Sequence, residues 1–168
     1  MAMRPPAVRT LCLLRRDDQV LLLRRRRPPN AGLWNAVGGK VAPGEDPWAA
    51  CVREVFEETG MRIARPRLRA VEFVSVRPAS LLWVLLVFVA VAPPGEPVAS
   101  DEGELHWVQV DAVPTLPVPV DLGLLWPILW DRDQVMTVRV DLEGEDASTM
   151  TRMAILGPAD RARPLYPP

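Results

Sequence analysis

A chain of 168 residues with 49% hydrophobic and 24% charged residues can bury a real core in one domain, and this balance is ordinary for a globular protein. A formal net charge of −1 excludes a general electrostatic drive toward nucleic acid or an anionic membrane. Cys12 and Cys51 lie in apolar runs without CxxC spacing, so they read as buried free thiols of a reducing compartment rather than as a disulfide.

In chain order, Val8 to Arg15 and Val20 to Arg26 read as two strands joined by a turn at Asp17-Asp18. The early run Leu11 to Leu14 is too short for the apolar region of a secretory signal. Pro28 to Gly32 reads as a loop and Trp34 to Val37 as a short strand leading into a glycine-rich loop, Gly38 to Glu45. Asp46 is a good N-cap, Pro47 fits the first helical position and Gly60 suits a left-handed C-terminus, so a helix fills the interval between them. Arg67 to Val76 and Leu81 to Ala92 form a hairpin pattern with Arg77-Pro78-Ala79 at its turn. The second of these runs is too short to cross a bilayer as a helix and reads as a strand buried on both faces. Pro93 to Glu104 is a loop, Leu105 to Val110 a strand, and Leu122 to Trp130 a short helix with Asp121 as N-cap. Val135 to Asp141 and Met150 to Leu156 pair around Glu143 to Asp146, and Gly157 to Pro168 reads as a proline-bearing tail. Nothing repeats, so the pattern predicts a single domain over residues 1–168, with its core at about residues 8–156.

The helix after Asp46 has two faces. Trp48, Cys51, Val52, Val55 and Phe56 form an apolar arc, and Glu54, Glu57 and Glu58 form a separate one. The three glutamates stand at i, i+3 and i+4, which brings them together. Arg53 alone cannot neutralise them, whereas a hard divalent cation such as Mg²⁺ takes oxygen ligands and joins carboxylates to substrate phosphates. The spacing therefore points to metal-assisted chemistry on a phosphate-bearing substrate. The alternative is a solvated face with Arg53 and Glu57 as an i, i+4 pair.

The stretch Gly39 to Met61 fits G-x5-E-x7-R-E-U-x-E-E-x-G-U, with U aliphatic, through Gly39, Glu45, Arg53, Glu54, Val55, Glu57, Glu58, Gly60 and Met61. In this it resembles the Nudix hydrolases, whose defining box has that form. The resemblance implies an α/β fold, an α/β/α sandwich around a mixed sheet. It implies cleavage of a nucleoside diphosphate linked to another group, with Mg²⁺ or Mn²⁺ as cofactor. It also implies that Glu54, Glu57 and Glu58 hold metal, that the Gly39 carbonyl is a ligand, and that Arg53 pairs with Glu45 to fix the loop against the helix.

Outside the box, Ser100-Asp101-Glu102 followed by Trp107 resembles a loop of nucleotide-pool-cleansing members, in which the glutamate reaches the metals. On that match Glu102 is a further metal ligand, and Glu57, Glu58 and Glu102 are the candidate general bases. Thr10 to Leu13 and Gly32 to Lys40 are similar to segments of MutT-like 8-oxo-dGTP diphosphatases, especially the animal type. This resemblance implies that Asn35 hydrogen-bonds a purine and that Asp121 binds its edge; the residues alone equally allow Asn35 to satisfy local backbone and Asp121 to cap its helix. Thr10 and Lys40, within the matched segments, and Arg25, from the run Arg24 to Arg27, complete the substrate-binding candidates. In a strand only alternate arginines of that run share a face. Two positions depart from the animal type: Pro119 and Pro29 stand where it places a tryptophan and a phenylalanine. Trp83 or Trp126 is the candidate to supply the missing ring. His106, the sole histidine, has no assigned role and reads as structural.

The expectation is hydrolysis of oxidised or otherwise modified purine nucleoside triphosphates to monophosphate and pyrophosphate. The alternatives are a Nudix pyrophosphatase for ADP-ribose, dinucleoside polyphosphates or capped RNA, and a non-catalytic nucleotide-binding module, a class that usually lacks box carboxylates. The expected partner is a small nucleotide, with no membrane, nucleic-acid or obligate protein partner, in the cytoplasm.

Overall fold

The computed structural model describes residues 5–28, 30–77, 81–98, 100–130, 134–144, 149–156 and 163–164. Its elements are β1 (Ala7–Arg16), β2 (Gln19–Arg25), β3 (Trp34–Asn35), α1 (Pro47–Thr59), β4 (Arg67–Arg77), β5 (Leu81–Val91), β6 (Gly103–Gln109), α2 (Val120–Leu129), β7 (Met136–Glu143), β8 (Thr149–Leu156) and β9 (Arg163–Pro164). The strands form one mixed sheet in the order β3-β2-β1-β5-β4-β7-β8-β9, with β6 also paired to β2. β1 runs parallel to β5 and β4 parallel to β7; the other pairs are antiparallel.

The period-2 alternation of side chains divides this sheet into two cores. From β1 and β2, Cys12, Leu14, Leu21 and Leu23 face α1, where they meet Cys51 and Val55. Leu13, Val20 and Leu22 face the other way, into the cluster that holds Leu122, Leu125, Trp126 and Leu129 of α2. A helix thus covers each face, and the α/β/α sandwich follows from two short alternating strands and two apolar helix faces. Cys12 and Cys51 are both buried and free, as read from the sequence. No helix among the described residues is long and apolar enough to cross a membrane.

Three expectations are corrected. The run from Leu81 is not buried on both faces throughout, since Leu82 to Leu86 are only half-buried where one side borders a cavity. Asp121 is not the N-cap of α2; Pro119 holds that position in extended backbone (φ −53°, ψ 139°), the helix begins at Val120, and Asp121 lies in the first turn. The segment after Gly157 is not wholly without structure, because Arg163 and Pro164 pair with Ile155 and Ala154 on the outer edge of β8. Pro29, the turn at Pro78-Ala79, the turn residues Glu145 and Asp146, and the rest of the tail lie outside the described residues.

Candidate active site

The site begins where β1 and β2 part. They pair only near their turn, at Leu14–Arg16 against Gln19–Leu21. Beyond it residues 34–41 fill the gap, with Trp34 and Asn35 on β2 and the rest along β1. Cys12 N–H donates to the Val37 carbonyl at 2.7 Å, Thr10 N–H to the Gly39 carbonyl at 2.8 Å and Val41 N–H to the Val8 carbonyl at 3.0 Å. Gly38 has φ +146°, and a Cβ there would lie 2.1 Å from the Thr10 carbonyl oxygen, so only glycine allows this approach. A Cβ on Gly39 would lie 2.3 Å from Glu54 Oε2, so the loop backbone meets the α1 carboxylates with no side chain between them.

α1 is held at both ends as its caps predict. Asp46 Oδ1 accepts from the N–H groups of Trp48 and Ala49 at 2.9 and 3.0 Å, and Gly60, at φ +69°, donates its N–H to the Phe56 carbonyl. From its middle turn Arg53 reaches back to the loop. Its Nε and Nη2 donate to the two Glu45 oxygens at 2.8 and 2.9 Å, and Nη2 also donates to the Lys40 carbonyl at 3.0 Å. Nη1 donates to Glu54 Oε1 at 2.8 Å and to Glu57 Oε2 at 3.1 Å. These bonds, chiefly the one from Arg53 and then one from Ala42 N–H, lower the Glu45 pKa to about 2, and they hold Arg53 more firmly protonated in turn.

Glu58 is placed differently. It is 6% exposed, and its Oε2 accepts from Gly38 N–H at 3.0 Å. Burial raises its pKa to about 7; the charges of Glu54 and Glu102 push the same way, while the Gly38 bond and Arg25 oppose them. Glu102 enters from the turn before β6, where its carbonyl accepts from Arg26 N–H at 3.0 Å. Thus the three helix glutamates do not simply face one another. Arg53 takes Glu54 and Glu57, and the glycine loop takes Glu58.

Among the described residues no three acidic, cysteine or histidine side chains close around one point as they stand. The donor set nevertheless fits a hard divalent cation. Every group is oxygen, one buried carboxyl is strained by two like-charged neighbours, and the Gly39 carbonyl, with one bond from Thr10, keeps a lone pair.

Gly38 and Gly39 also line a cavity of about 790 Å³. Asn35, Thr10, Arg25 and Trp83 line it, and so do Pro119 and Asp121. Asn35 is buried and its Oδ1 accepts from Ala36 N–H at 2.8 Å, so local backbone satisfies the oxygen while the amide NH₂ is left to the cavity. Arg9 lies over the Trp83 ring, 5.9 Å from its centroid. Lys40 does not line the cavity; its side chain is exposed and its carbonyl is taken by Arg53. Trp126 is core, 3% exposed, with Nε1 donating to the Val110 carbonyl at 2.8 Å. His106 stacks edge-on against Trp34.

Among the described residues, the buried side-chain polar atoms without a partner are Arg9 Nε, Thr10 Oγ1, Glu72 Oε2 and Trp130 Nε1. The first three belong to residues lining this cavity. Sequence reasoning missed Arg9 and Glu72. The available signal for Glu72 was a lone carboxylate in the apolar stretch Val71 to Val74, where burial demands a partner.

Comparison with known proteins gives the same frame. Residues 3–124 match the family described as the NUDIX domain. A Nudix hydrolase of Bacillus subtilis, YvcI, is 37% identical over 113 residues, covering 65% of this chain and 70% of the relative. The oxidized purine nucleoside triphosphate hydrolase of Danio rerio is 31% identical over 107 residues, covering 63% and 68%. Among solved structures, a MutT protein from Bacillus halodurans superposes with a TM-score of 0.78 at 27% identity, over 89% of this chain and 97% of that one. With the box residues gathered between the glycine loop and α1, and the family match running over most of the chain, this protein belongs to the Nudix hydrolase family.

Proposed function

We propose that this chain hydrolyses nucleoside triphosphates bearing oxidised or otherwise modified purines, releasing monophosphate and pyrophosphate, with Mg²⁺ or Mn²⁺ as cofactor. The observation that carries the reading is the position of Gly38 and Gly39. The same two residues abut the α1 carboxylates and line the cavity, so a nucleoside in the cavity sets its phosphates against the box. The kinship with oxidized purine nucleoside triphosphate hydrolases of Danio rerio and Mus musculus supports the substrate class.

Glu54, Glu57, Glu58 and Glu102 and the Gly39 carbonyl would hold the cation. Such a cation supplies charge neutralisation on phosphoryl oxygens and a lowered pKa for water. The chain's own groups do the rest. Arg53 ties Glu45, Lys40 and two box glutamates into one unit, which holds loop and helix at a set separation. Arg25 lines the cavity beside Gly39 and supplies positive charge where phosphates would enter. Glu57, exposed at the edge of the site, would accept the proton of the attacking water, with Glu58 and Glu102 as the alternative bases within the cluster. Asn35 offers its NH₂ and Asp121 its carboxyl to the base, and Trp83 offers the ring absent at Pro119.

The test is product release from a panel of modified and unmodified purine triphosphates, ADP-ribose, a diadenosine polyphosphate and a capped RNA, each with Mg²⁺. Pyrophosphate release from modified purine triphosphates in preference to the others is expected. Turnover confined to ADP-ribose, diadenosine compounds or capped RNA would reassign the substrate. Nucleotide binding without turnover of any compound would make the chain a non-catalytic binding module.

A further inference from the structure

Glu72 is a cavity residue that neither the box nor the glycine loop accounts for. It stands on β4, beside Leu85 of β5 and Val138 of β7. At 2% exposure an unpaired carboxylate there would be very costly. Asp121, in the first turn of α2, lines the same cavity. Burial first, then the charge of Asp121 and the hydrogen bond between the two groups, push the Glu72 pKa well above the ordinary carboxyl range. Burial also raises Asp121, but the N–H groups of Leu122 and Asp121, and Glu72 itself, pull it back. Two carboxyls so close in so dry a place share a proton rather than ionise together. With one proton held between the two carboxyls, the oxygens left over are acceptors. Among the described residues no protein donor reaches Glu72 Oε2. Asn35 presents the opposite polarity to the same cavity through its NH₂. The ligand edge that answers this set brings N–H donors to the carboxyl pair and a carbonyl oxygen to the amide.

We propose that Glu72 is a specificity-determining residue, selecting with Asp121 those purine nucleotides whose base carries an exocyclic amine beside a ring N–H. This rests on the reading that the cavity takes the nucleoside. With one proton shared by the pair, glutamine keeps the polar atoms that Glu72 needs: the amide N–H donates to Asp121 and the amide oxygen accepts from the base. Methionine matches its length and offers no comparable acceptor.

The experiment is calorimetric binding of deoxyguanosine and deoxyinosine monophosphates, which differ by the exocyclic amine alone, to the wild-type chain, Glu72→Gln and Glu72→Met. Wild type and Glu72→Gln are expected to bind the guanine nucleotide at least about tenfold more tightly, and Glu72→Met to bring the ratio below about threefold. Equal binding of the two by the wild type, loss of selectivity in Glu72→Gln, or full selectivity in Glu72→Met overturns the proposal and leaves the cavity reading standing. A wild type that binds neither nucleotide overturns both. If Glu72→Met does not fold, the wild-type ratio and the Glu72→Gln variant still decide.

Discussion

Arg53 grips Glu45 with two parallel bonds, Nε to one carboxylate oxygen at 2.8 Å and Nη2 to the other at 2.9 Å. This fork joins the glycine loop to the middle of α1, and the same guanidinium also holds Glu54 and Glu57. Planar bidentate geometry is what lysine cannot copy. Arg53→Lys keeps the charge and loses the fork, so turnover should fall by about tenfold or more while the melting temperature changes little. Steady-state kinetics at saturating Mg²⁺ check this. Wild-type turnover in the lysine variant would mean that charge alone matters at this position.

Glu57→Gln removes a charge at nearly constant shape from an exposed side chain, so folding should survive. Turnover is expected to drop by at least about a hundredfold, as befits a group that accepts a proton or holds the cation. Unaltered turnover at saturating Mg²⁺ would remove Glu57 from the mechanism.

Glu58 gives the site a pH dependence with a definite sign. Its pKa of about 7 in the folded chain exceeds the ordinary 4.5. Between those values the folded chain holds a proton that the unfolded chain has released, so the metal-free protein loses stability as pH rises from about 4.5 to 7. A cation held by Glu58 would need the carboxylate and so would expel that proton. Mg²⁺ affinity should therefore rise with pH and level off above about 7. Titration calorimetry in two buffers of different ionisation enthalpy should find proton release at pH 6 and almost none at pH 8. Equal release at both would contradict the burial and like-charge argument for Glu58.

Gly38 has no room for a side chain. Alanine there would combine a left-side φ with a Cβ against the Thr10 carbonyl, which is backbone and cannot swing away. Gly38→Ala should cost more than about 2 kcal/mol and lower the melting temperature by roughly 5 °C or more. Gly39→Ala meets only the flexible end of Glu54. It should keep most of its stability and lose activity instead. Thermal melts of the two variants, run beside activity assays, separate the cases.

The legible part of this molecule is the part governed by local chemistry. The caps of α1 and the two strands β1 and β2 follow from residues close in sequence, the Arg53–Glu45 pair follows from the resemblance of the box, and each stands where it was expected. What escaped notice was long-range. Glu72 and Asp121 are 49 residues apart, and only the packing of α2 over β4 makes them partners. The convergence of the glutamates was read from helical spacing, which cannot show that Arg53 and Gly38 N–H divide them. Asp121 looked like a cap because proline at 119 leaves no side-chain capping signal of its own.

Trp83 carries the last prediction. Pro119 lines the cavity and offers no aromatic ring, so an apolar base face needs another partner. Trp83 is half-buried in the cavity wall, with Arg9 over its ring at 5.9 Å from the centroid. Stacking of a base on an aromatic side chain contributes about 1–3 kcal/mol. Trp83→Leu keeps the wall apolar and removes the π-face. KM for the purine triphosphate should rise roughly tenfold with kcat within about threefold, because the box is untouched. Nucleotide addition should also quench tryptophan fluorescence in the wild type far more than in the variant. A rise in kcat deficit without a KM change would place Trp83 in support of the box, and identical kinetics with identical quenching would return it to the core, leaving the base held by its edge alone.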